Sequence, residues 1–211
     1  LNLNNNKKLI ELSCYGNKLT QIHLSNCTEL TNINCARNLL TTIDINNNSQ
    51  LTELWCSNNQ LIQINLENNI LLSELICASN QLSQLDLYNN TELTELWCSN
   101  NKLTQLYLNN NTKLTYIRCE NNQLSILDLT ENTELQELWC KNNLLSQLDL
   151  SNATKLFYAN CGINQLTEID LSNNTALQSI NLADNPLETI YVFEGYSFTL
   201  GKPETTQVVV K

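Results

Sequence analysis

The sequence predicts a repeat solenoid built mainly of short β-strands, with little or no helix. Leucine recurs every 21 residues at nine positions, from Leu9 to Leu177, with no insertion or deletion between them. Apolar residues within each unit stand two or three apart, which is the spacing of strands and tight turns rather than of a helix. The second half of each unit repeats the pattern of the first. We therefore expect one elongated domain whose coils each have two sheet-like faces.

The unit that best represents the repeat runs from Leu93 to Lys113, with the sequence LTELWCSNNKLTQLYLNNNTK. Its pattern, LxxLxCxxNxL followed by xxLxLxxNT, resembles the leucine-rich repeat. The 21-residue length, the cysteine and the LDL second half resemble a bacterial subfamily, and the resemblance covers residues 1 to about 192. It implies a right-handed solenoid with one parallel strand per coil, which binds partners through the exposed positions of its inner face. No helical stretch occurs on the far side, so we expect a rod or a shallow arc.

The repeat pattern also divides the chain. Residues 1–195 are assigned to the solenoid, with an N-terminal half coil and about nine full coils, and residues 196–211 to a C-terminal cap. Two strand-like runs flank turn-forming residues there, which predicts a β-hairpin or a paired strand over the last coil. The candidate lid residues are Phe198, Leu200, Val208 and Val210.

The N-terminal end shows no capping segment before its first coil. Leu1–Leu3 align with Ile22–Leu24, so the chain begins within a repeat. An open apolar edge at this end would reflect truncation, a missing upstream cap or self-association through that end. An upstream export signal would fit the extracellular or cell-surface location that the resemblance implies.

Charge and hydropathy exclude two classes of partner. The chain has 11 Lys plus Arg against 21 Asp plus Glu, a net charge of −10, and its cations are scattered. No basic stripe can neutralise a phosphate backbone, so we expect no nucleic-acid partner. No apolar run approaches the roughly 20 residues that span a bilayer, so we expect no membrane insertion.

Eight of the nine cysteines occupy one column of the repeat: Cys14, Cys35, Cys56, Cys77, Cys98, Cys119, Cys140 and Cys161. Neighbours in a parallel register have Cβ atoms about 4.8 Å apart, against about 3.8 Å in a disulfide. We therefore predict reduced thiols that pack in the core like small apolar residues. Zinc binding is the alternative, but a line of thiols does not converge on one point. Cys27 stands alone in an asparagine column and is expected to be partly accessible.

Two asparagine columns run along the repeat and are predicted to satisfy backbone groups at the turns. The first contains Asn17, Asn38, Asn59, Asn80, Asn101, Asn122, Asn143, Asn164 and Asn185. The second, less regular, contains Asn48, Asn69, Asn90, Asn111, Asn132 and Asn174.

The inventory of reactive side chains indicates no enzyme and no cofactor, because there is one histidine, His23, and no glycine-rich phosphate loop. His23 is expected to be exposed, in a column that elsewhere carries Asp or Asn. Asp128, Asp149 and Asp170 follow one another in that column, and a calcium bridge between them is conceivable. A solvated outer face is the preferred interpretation, because one carboxylate column lacks the six to eight oxygens that calcium prefers.

The strongest functional signal lies on the first strand of each coil. Strand alternation should bury Leu96 and Cys98 and expose Glu95, Trp97 and Ser99. The same positions in the six coils that begin at Leu51 to Leu156 define the candidate ligand-binding face: Glu53, Trp55, Glu74, Ile76, Glu95, Trp97, Tyr116, Arg118, Glu137, Trp139 and Tyr158. Exposed aromatic residues flanked by carboxylates are typical of an interface. The alternative is that these side chains stack between coils and only stabilise the sheet.

The exposed face predicts a protein-binding module. The resemblance implies that it is bacterial, is exported or surface-associated, and recognises a protein, such as a host protein, in adhesion. Two other functions remain open. A carbohydrate-binding adhesin could stack Trp55, Trp97 and Trp139 on sugar rings, and a structural spacer would bind nothing. Protein binding through the glutamates should weaken with salt, whereas sugar stacking should be nearly insensitive to it.

Overall fold

Thirteen short strands build the solenoid in the computed structural model, which describes residues 1–3 and 5–211. Coils are numbered here by their first leucine, from coil 1 at Leu9 to coil 9 at Leu177. The strands are β1 Glu11–Ser13, β2 Asn32–Asn34, β3 Glu53–Trp55, β4 Glu74–Ile76, β5 Glu95–Trp97, β6 Tyr116–Arg118, β7 Glu137–Trp139, β8 Tyr158–Asn160, β9 Glu168–Asp170, β10 Ser179–Asn181, β11 Thr189–Val192, β12 Thr199–Gly201 and β13 Gln207–Val210.

The main sheet contains the first strand of each coil and lies along one side of the solenoid, which is its first face; the second halves of the coils form the second face. It has ten strands, β1 to β8 followed by β10 and β12, and every pair is parallel. The register advances by one whole repeat per strand, so that Glu53 lies opposite Glu74 and Glu74 opposite Glu95. The predicted solenoid of short parallel strands is confirmed.

The second face differs from the prediction that every coil is sheet-like on both sides. A second sheet forms only from β9, β11 and β13, in the order β13-β11-β9. In the described residues before β9, the second half of each coil carries no strand, and Asn2 and His23 form an isolated parallel bridge. In these coils the backbone turns through hydrogen bonds between residues three apart, such as the bond from Asn90 N to Leu87 O at 3.0 Å. Asparagine side chains connect these coils to their neighbours.

The C-terminal residues form no β-hairpin, which corrects one of the two predicted alternatives. β12 pairs in parallel with β10, and β13 pairs in parallel with β11, so the two strands belong to different sheets. The segment therefore adds one further coil instead of folding back. Of the candidate lid residues, Phe198 is buried, Leu200 and Val208 are half-buried, and Val210 is 55% exposed. The cap role of residues 196–211 stays a prediction.

Leucine and cysteine fill the interior between the two faces. Leu96 and Cys98 are fully buried, and all nine cysteines are free and buried. Burial raises the pKa of the Cys77 thiol to about 12, so this thiol is protonated and unreactive at neutral pH. Cys27 was expected to be partly accessible, and this was wrong: its column faces inward, and its Sγ donates to Leu3 O at 3.3 Å.

The first asparagine column joins neighbouring coils, as predicted. Asn101 Nδ2 donates to the carbonyls of Cys98 in its own coil at 3.0 Å and of Cys77 in the preceding coil at 3.1 Å. Its Oδ1 accepts from Leu82 N at 3.0 Å. Donor and acceptor are both satisfied, so the side chain replaces the strand partners that the backbone loses at the turn.

The second asparagine column is only half satisfied. Asn111 Nδ2 donates to Leu87 O at 3.1 Å and to Asn90 O at 2.8 Å, again in the preceding coil. Its Oδ1 is buried without a hydrogen-bond partner, as are those of Asn48, Asn69, Asn132 and Asn174. The amide nitrogen alone provides the coil-to-coil connection here.

A left-handed residue precedes each asparagine of the first column. These residues are Gly16, Arg37, Asn58, Ser79, Asn100, Asn121, Asn142, Ile163 and Asp184, with φ between 53° and 70°. Glycine and asparagine adopt this conformation most readily, which explains their frequency in the column. Among the described residues, no helix has the length and apolar character needed to cross a membrane.

Candidate binding face

The eleven predicted site residues lie together on the outward side of β3 to β8, which we call the first-strand face. Side chains alternate across a strand, so the outer two positions of each three-residue strand point away from the core. One row contains Glu53, Glu74, Glu95, Tyr116, Glu137 and Tyr158, and the other contains Trp55, Ile76, Trp97, Arg118 and Trp139. At about 4.8 Å per strand, the three tryptophans extend over roughly 19 Å.

Arg118 lies between two tryptophans. Its guanidinium carbon is 4.3 Å from the ring centroid of Trp97 and 5.0 Å from that of Trp139. Trp139 in turn contacts Tyr158, with ring centroids 4.9 Å apart. These contacts form a continuous stack of four side chains across β5 to β8, held by cation–π and ring packing.

The tryptophans are less exposed than the prediction assumed. Trp55 is 37% exposed, whereas Trp97 and Trp139 are half-buried by their neighbours in the stack. Trp139 Nε1 donates to Glu137 Oε2 at 3.3 Å, while Trp97 Nε1 is buried and has no hydrogen-bond partner. The stack therefore contributes to packing between coils, while Trp97, Arg118 and Trp139 each remain partly exposed.

The glutamate row places three carboxylates side by side. Glu74 lies between Glu53 and Glu95 in register. Partial burial, and then the charges of Glu95 and Glu53, raise the pKa of the Glu74 carboxyl, and a hydrogen bond from Trp55 only partly opposes this. An added cation would relieve the repulsion along this row.

Ser99 was predicted to be exposed beside Trp97, and this was wrong. It is buried, and its Oγ donates to a carboxylate oxygen of Glu120 in the next coil. The strand ends at Trp97, so alternation stops there and the chain turns inward. Glu120, which the sequence prediction did not include, is therefore connected to the preceding coil through Ser99.

A groove lies at the N-terminal end of the first-strand face. It has a volume of about 480 Å³ and is lined by Ser13, Asn34, Glu53 and Trp55 among others. Its residues come from β1 to β3, so the groove extends two coils beyond the predicted residues.

The aspartates of the second face have a local role that the sequence did not reveal. Asp128 Oδ1 accepts from Thr130 N at 3.0 Å, and Asp149 and Asp170 make the same bond two residues on. Hydrogen bonds from Asn109 and Thr130 lower the pKa of Asp128. Each aspartate thus stabilises the turn that follows it. His23 is exposed as predicted. No group of three or more metal-ligating side chains occurs in the described part of the chain.

Comparison with solved structures gives the family. The functional domain of InlJ from Listeria monocytogenes, described as including a cysteine ladder, is 30% identical and superposes over 100% of this chain and 55% of its own, with a TM-score of 0.77. This chain is a leucine-rich repeat protein of the bacterial 21-residue type. No protein-family model matches the sequence, and no curated protein matches it either.

Two further structures share this leucine-rich repeat fold. Internalin C2 of Listeria monocytogenes is 26% identical over 72% of this chain and 71% of its own, with a TM-score of 0.63. A leucine-rich repeat protein of Leptospira interrogans is 18% identical over 96% of this chain and 66% of its own, with a TM-score of 0.75. The chain therefore spans about half of InlJ and just under two thirds of the Leptospira protein.

Proposed function

We propose that this leucine-rich repeat protein is a non-enzymatic protein-binding module of a surface or secreted bacterial protein, and that it binds a protein ligand such as a host protein through the first-strand face. The likeness to the functional domain of InlJ supports a recognition role for the repeats. Solenoids of this kind use long, regular surfaces for binding, and the first-strand face is the most aromatic one here.

The observation that carries the proposal is the state of Arg118. It is held between Trp97 and Trp139 and, among the described residues, forms no ion pair. Its planar donors are thus positioned but unused, and arginine and tryptophan are the residues most enriched at energetic centres of interfaces.

The charge of the face indicates the chemistry of the partner. Glu53, Glu74 and Glu95 line one side of the stack, so a basic segment of a partner would gain from contact with this row. Association should then slow as salt rises, because the carboxylates are near the surface and are screened.

The test uses the purified chain as bait for host extracellular proteins, followed by titration of each purified hit with wild type and Trp97→Ala. We expect Trp97→Ala to weaken binding at least about thirtyfold, because truncation of a central tryptophan commonly costs 2 kcal/mol or more. Its melting temperature should fall only slightly. Ile62→Ala, at a 57% exposed residue of a turn, is the matched control and should bind normally.

Two results would contradict the proposal. Unchanged affinity with a large fall in melting temperature would make the stack purely structural. Binding of a glycan that is insensitive to salt but lost in Trp97→Ala would assign the face to carbohydrate instead.

A further inference from the structure

A second groove lies on the side of the solenoid opposite the first-strand face, between the second halves of coils 4 and 5. Its volume is about 570 Å³, within the range of roughly 300–1,000 Å³ found for small-molecule sites. Tyr88, Tyr107, Gln84, Gln105 and Asp86 line it, with Leu85 and Leu87 beneath. None of these residues belongs to the first-strand face.

In coils 1 to 8 the two tyrosines interrupt columns that otherwise hold small or polar residues. In these coils the position of Tyr88 holds Ser25, Asn46, Glu67, Asn109, Thr130, Ser151 and Ser172, and in coil 9 it holds Phe193. The position of Tyr107 holds His23, Asp44, Asn65, Asp86, Asp128, Asp149 and Asp170, and in coil 9 it holds Tyr191, opposite Asp170. Both interruptions fall in adjacent coils and border one groove.

Tyr107 replaces a residue that stabilises the fold. In six coils the Asp or Asn of this column accepts a hydrogen bond from the backbone N–H two residues on, at 2.8–3.2 Å. The tyrosine ring carries no acceptor that reaches this N–H, so its presence gives up a turn bond. Packing does not compensate, because Tyr107 is 69% exposed and Tyr88 is 72% exposed.

Neighbouring side chains contact Tyr107 and enlarge the exposed surface that the two tyrosines form. Tyr107 Oη donates to Gln105 Oε1 at 2.9 Å, which fixes the ring over the groove. Ile126 in coil 6 is 74% exposed and continues the diagonal of Tyr88 and Tyr107, each 19 residues after the last. The two exposed rings and Ile126 lie along one diagonal, and none of the described residues covers them, so they form a platform for a ligand.

The lining selects the ligand. It contains one carboxylate, Asp86, and no Lys, Arg or His, so a phosphate, sulfate or uronate would meet repulsion with no counter-charge. Gln84 and Gln105 offer amide donors and acceptors beside two aromatic faces. A sugar ring is complementary to this lining. Its C–H face packs on aromatic rings, and its hydroxyls form hydrogen bonds with amides and carboxylates.

We propose that this groove is a binding site for a neutral saccharide, stacked on Tyr88 and Tyr107 and hydrogen-bonded by Gln84, Gln105 and Asp86. The site is independent of the first-strand face, so a leucine-rich repeat protein of this kind engages two ligands on opposite sides.

The test is an array of neutral, sialylated and sulfated glycans, with a proline-rich peptide included, followed by titration of the retained free oligosaccharide. Tyr107→Asp and Tyr88→Asn install residues that the repeat already uses at these positions, so both variants fold. Each should weaken binding at least about tenfold. Tyr107→Asn should raise the melting temperature, because it restores the turn bond that Asn65 makes without placing a third carboxylate between Asp86 and Asp128. Tyr15→Ser removes an exposed tyrosine elsewhere and should bind as wild type does.

Four outcomes would overturn the proposal. They are retention of no neutral glycan, equal retention of sulfated or sialylated glycans, binding of the peptide in place of any glycan, and glycan binding that survives both tyrosine substitutions. Glycan binding lost in Trp97→Ala but kept in Tyr107→Asp would place the sugar on the first-strand face, so failure here is distinguishable from failure of the protein-binding function.

Discussion

Ile163 is a β-branched residue in a left-handed conformation, with φ 53°. Its side chain is strained there, because Cβ approaches the following carbonyl. In the preceding coils the same column holds Asn100, Asn121 and Asn142, whose amides form a ladder with bonds of 3.0 and 2.8 Å. Ile163→Asn should relieve the strain, extend the ladder and raise the free energy of unfolding by about 1 kcal/mol. Chemical denaturation measures this, and Asn121→Ile should show a loss. A less stable Ile163→Asn would show that its half-covered side chain packs better than it is strained.

Glu74 predicts a pH effect on stability. Its folded-state pKa is raised above 4.5 by burial and by Glu95 and Glu53, so the folded chain holds the proton more tightly than the unfolded chain does. Stability from this group is therefore present below pH 4.5 and is lost as pH rises through the folded-state pKa. Glu74→Gln should raise the melting temperature at neutral pH and change it little in acid. Glu29→Gln, at an exposed glutamate of another coil, should show neither effect. An equal gain at both pH values would remove the electrostatic explanation.

At the scale of the coil, the two asparagine columns should respond differently to substitution. Asn101→Ala leaves the N–H of Leu82 without a partner and removes one hydrogen bond from each of three carbonyls, and should cost about 1–3 kcal/mol. Asn111→Ala removes two hydrogen bonds but also a buried Oδ1 that has no partner, so its loss should be smaller. The second column already tolerates Cys27 and Ala153. Thermal melts of both variants test this difference. Equal losses of stability would show that the two columns contribute equally.

The strands show which structural features the repeat pattern predicts and which it does not. The register of Glu53 with Glu74, and the burial of Leu96 and Cys98, follow directly from a 21-residue period without gaps. Ser99 could not be placed, because alternation fails where a three-residue strand ends. Strands on the second face were predicted in every coil but form only from β9 onward, since their ladder depends on distances between coils that the pattern does not contain.

The candidate face was predictable as a set of positions but not as an arrangement. The period brings all eleven residues to one side, whereas the stacking of Arg118 between Trp97 and Trp139 depends on rotamers that no spacing encodes. The second groove did have a sequence signal. Tyr88 and Tyr107 break two columns in adjacent coils, and a search for departures from the repeat would have found them.

At the scale of the whole molecule, the open end of the stack is the point most sensitive to truncation, since a solenoid buries each coil only against its neighbours. Residues 196–211 place β12 on the main sheet and β13 on the second sheet. Phe198 packs inside this coil, with ring centroids 5.3 Å from Tyr196 and 6.1 Å from Phe193. At the far end, Lys211 Nζ reaches Asp170 Oδ2 at 2.5 Å.

A chain ending at Phe193 loses these contacts and uncovers Ile180 and Ile190, which are almost fully buried in the intact chain. We expect a lower melting temperature together with concentration-dependent association, because two unpaired parallel strands and an apolar edge become available to a second copy. Phe198→Ala in the full chain removes a buried side chain but keeps the last strands in place. It should lower the free energy of unfolding by about 3 kcal/mol while the protein stays monomeric. Val210→Ser, at an exposed side chain, should change neither property. A truncated chain that is monomeric by sedimentation and as stable as the full chain would show that the last coil does not cap the stack.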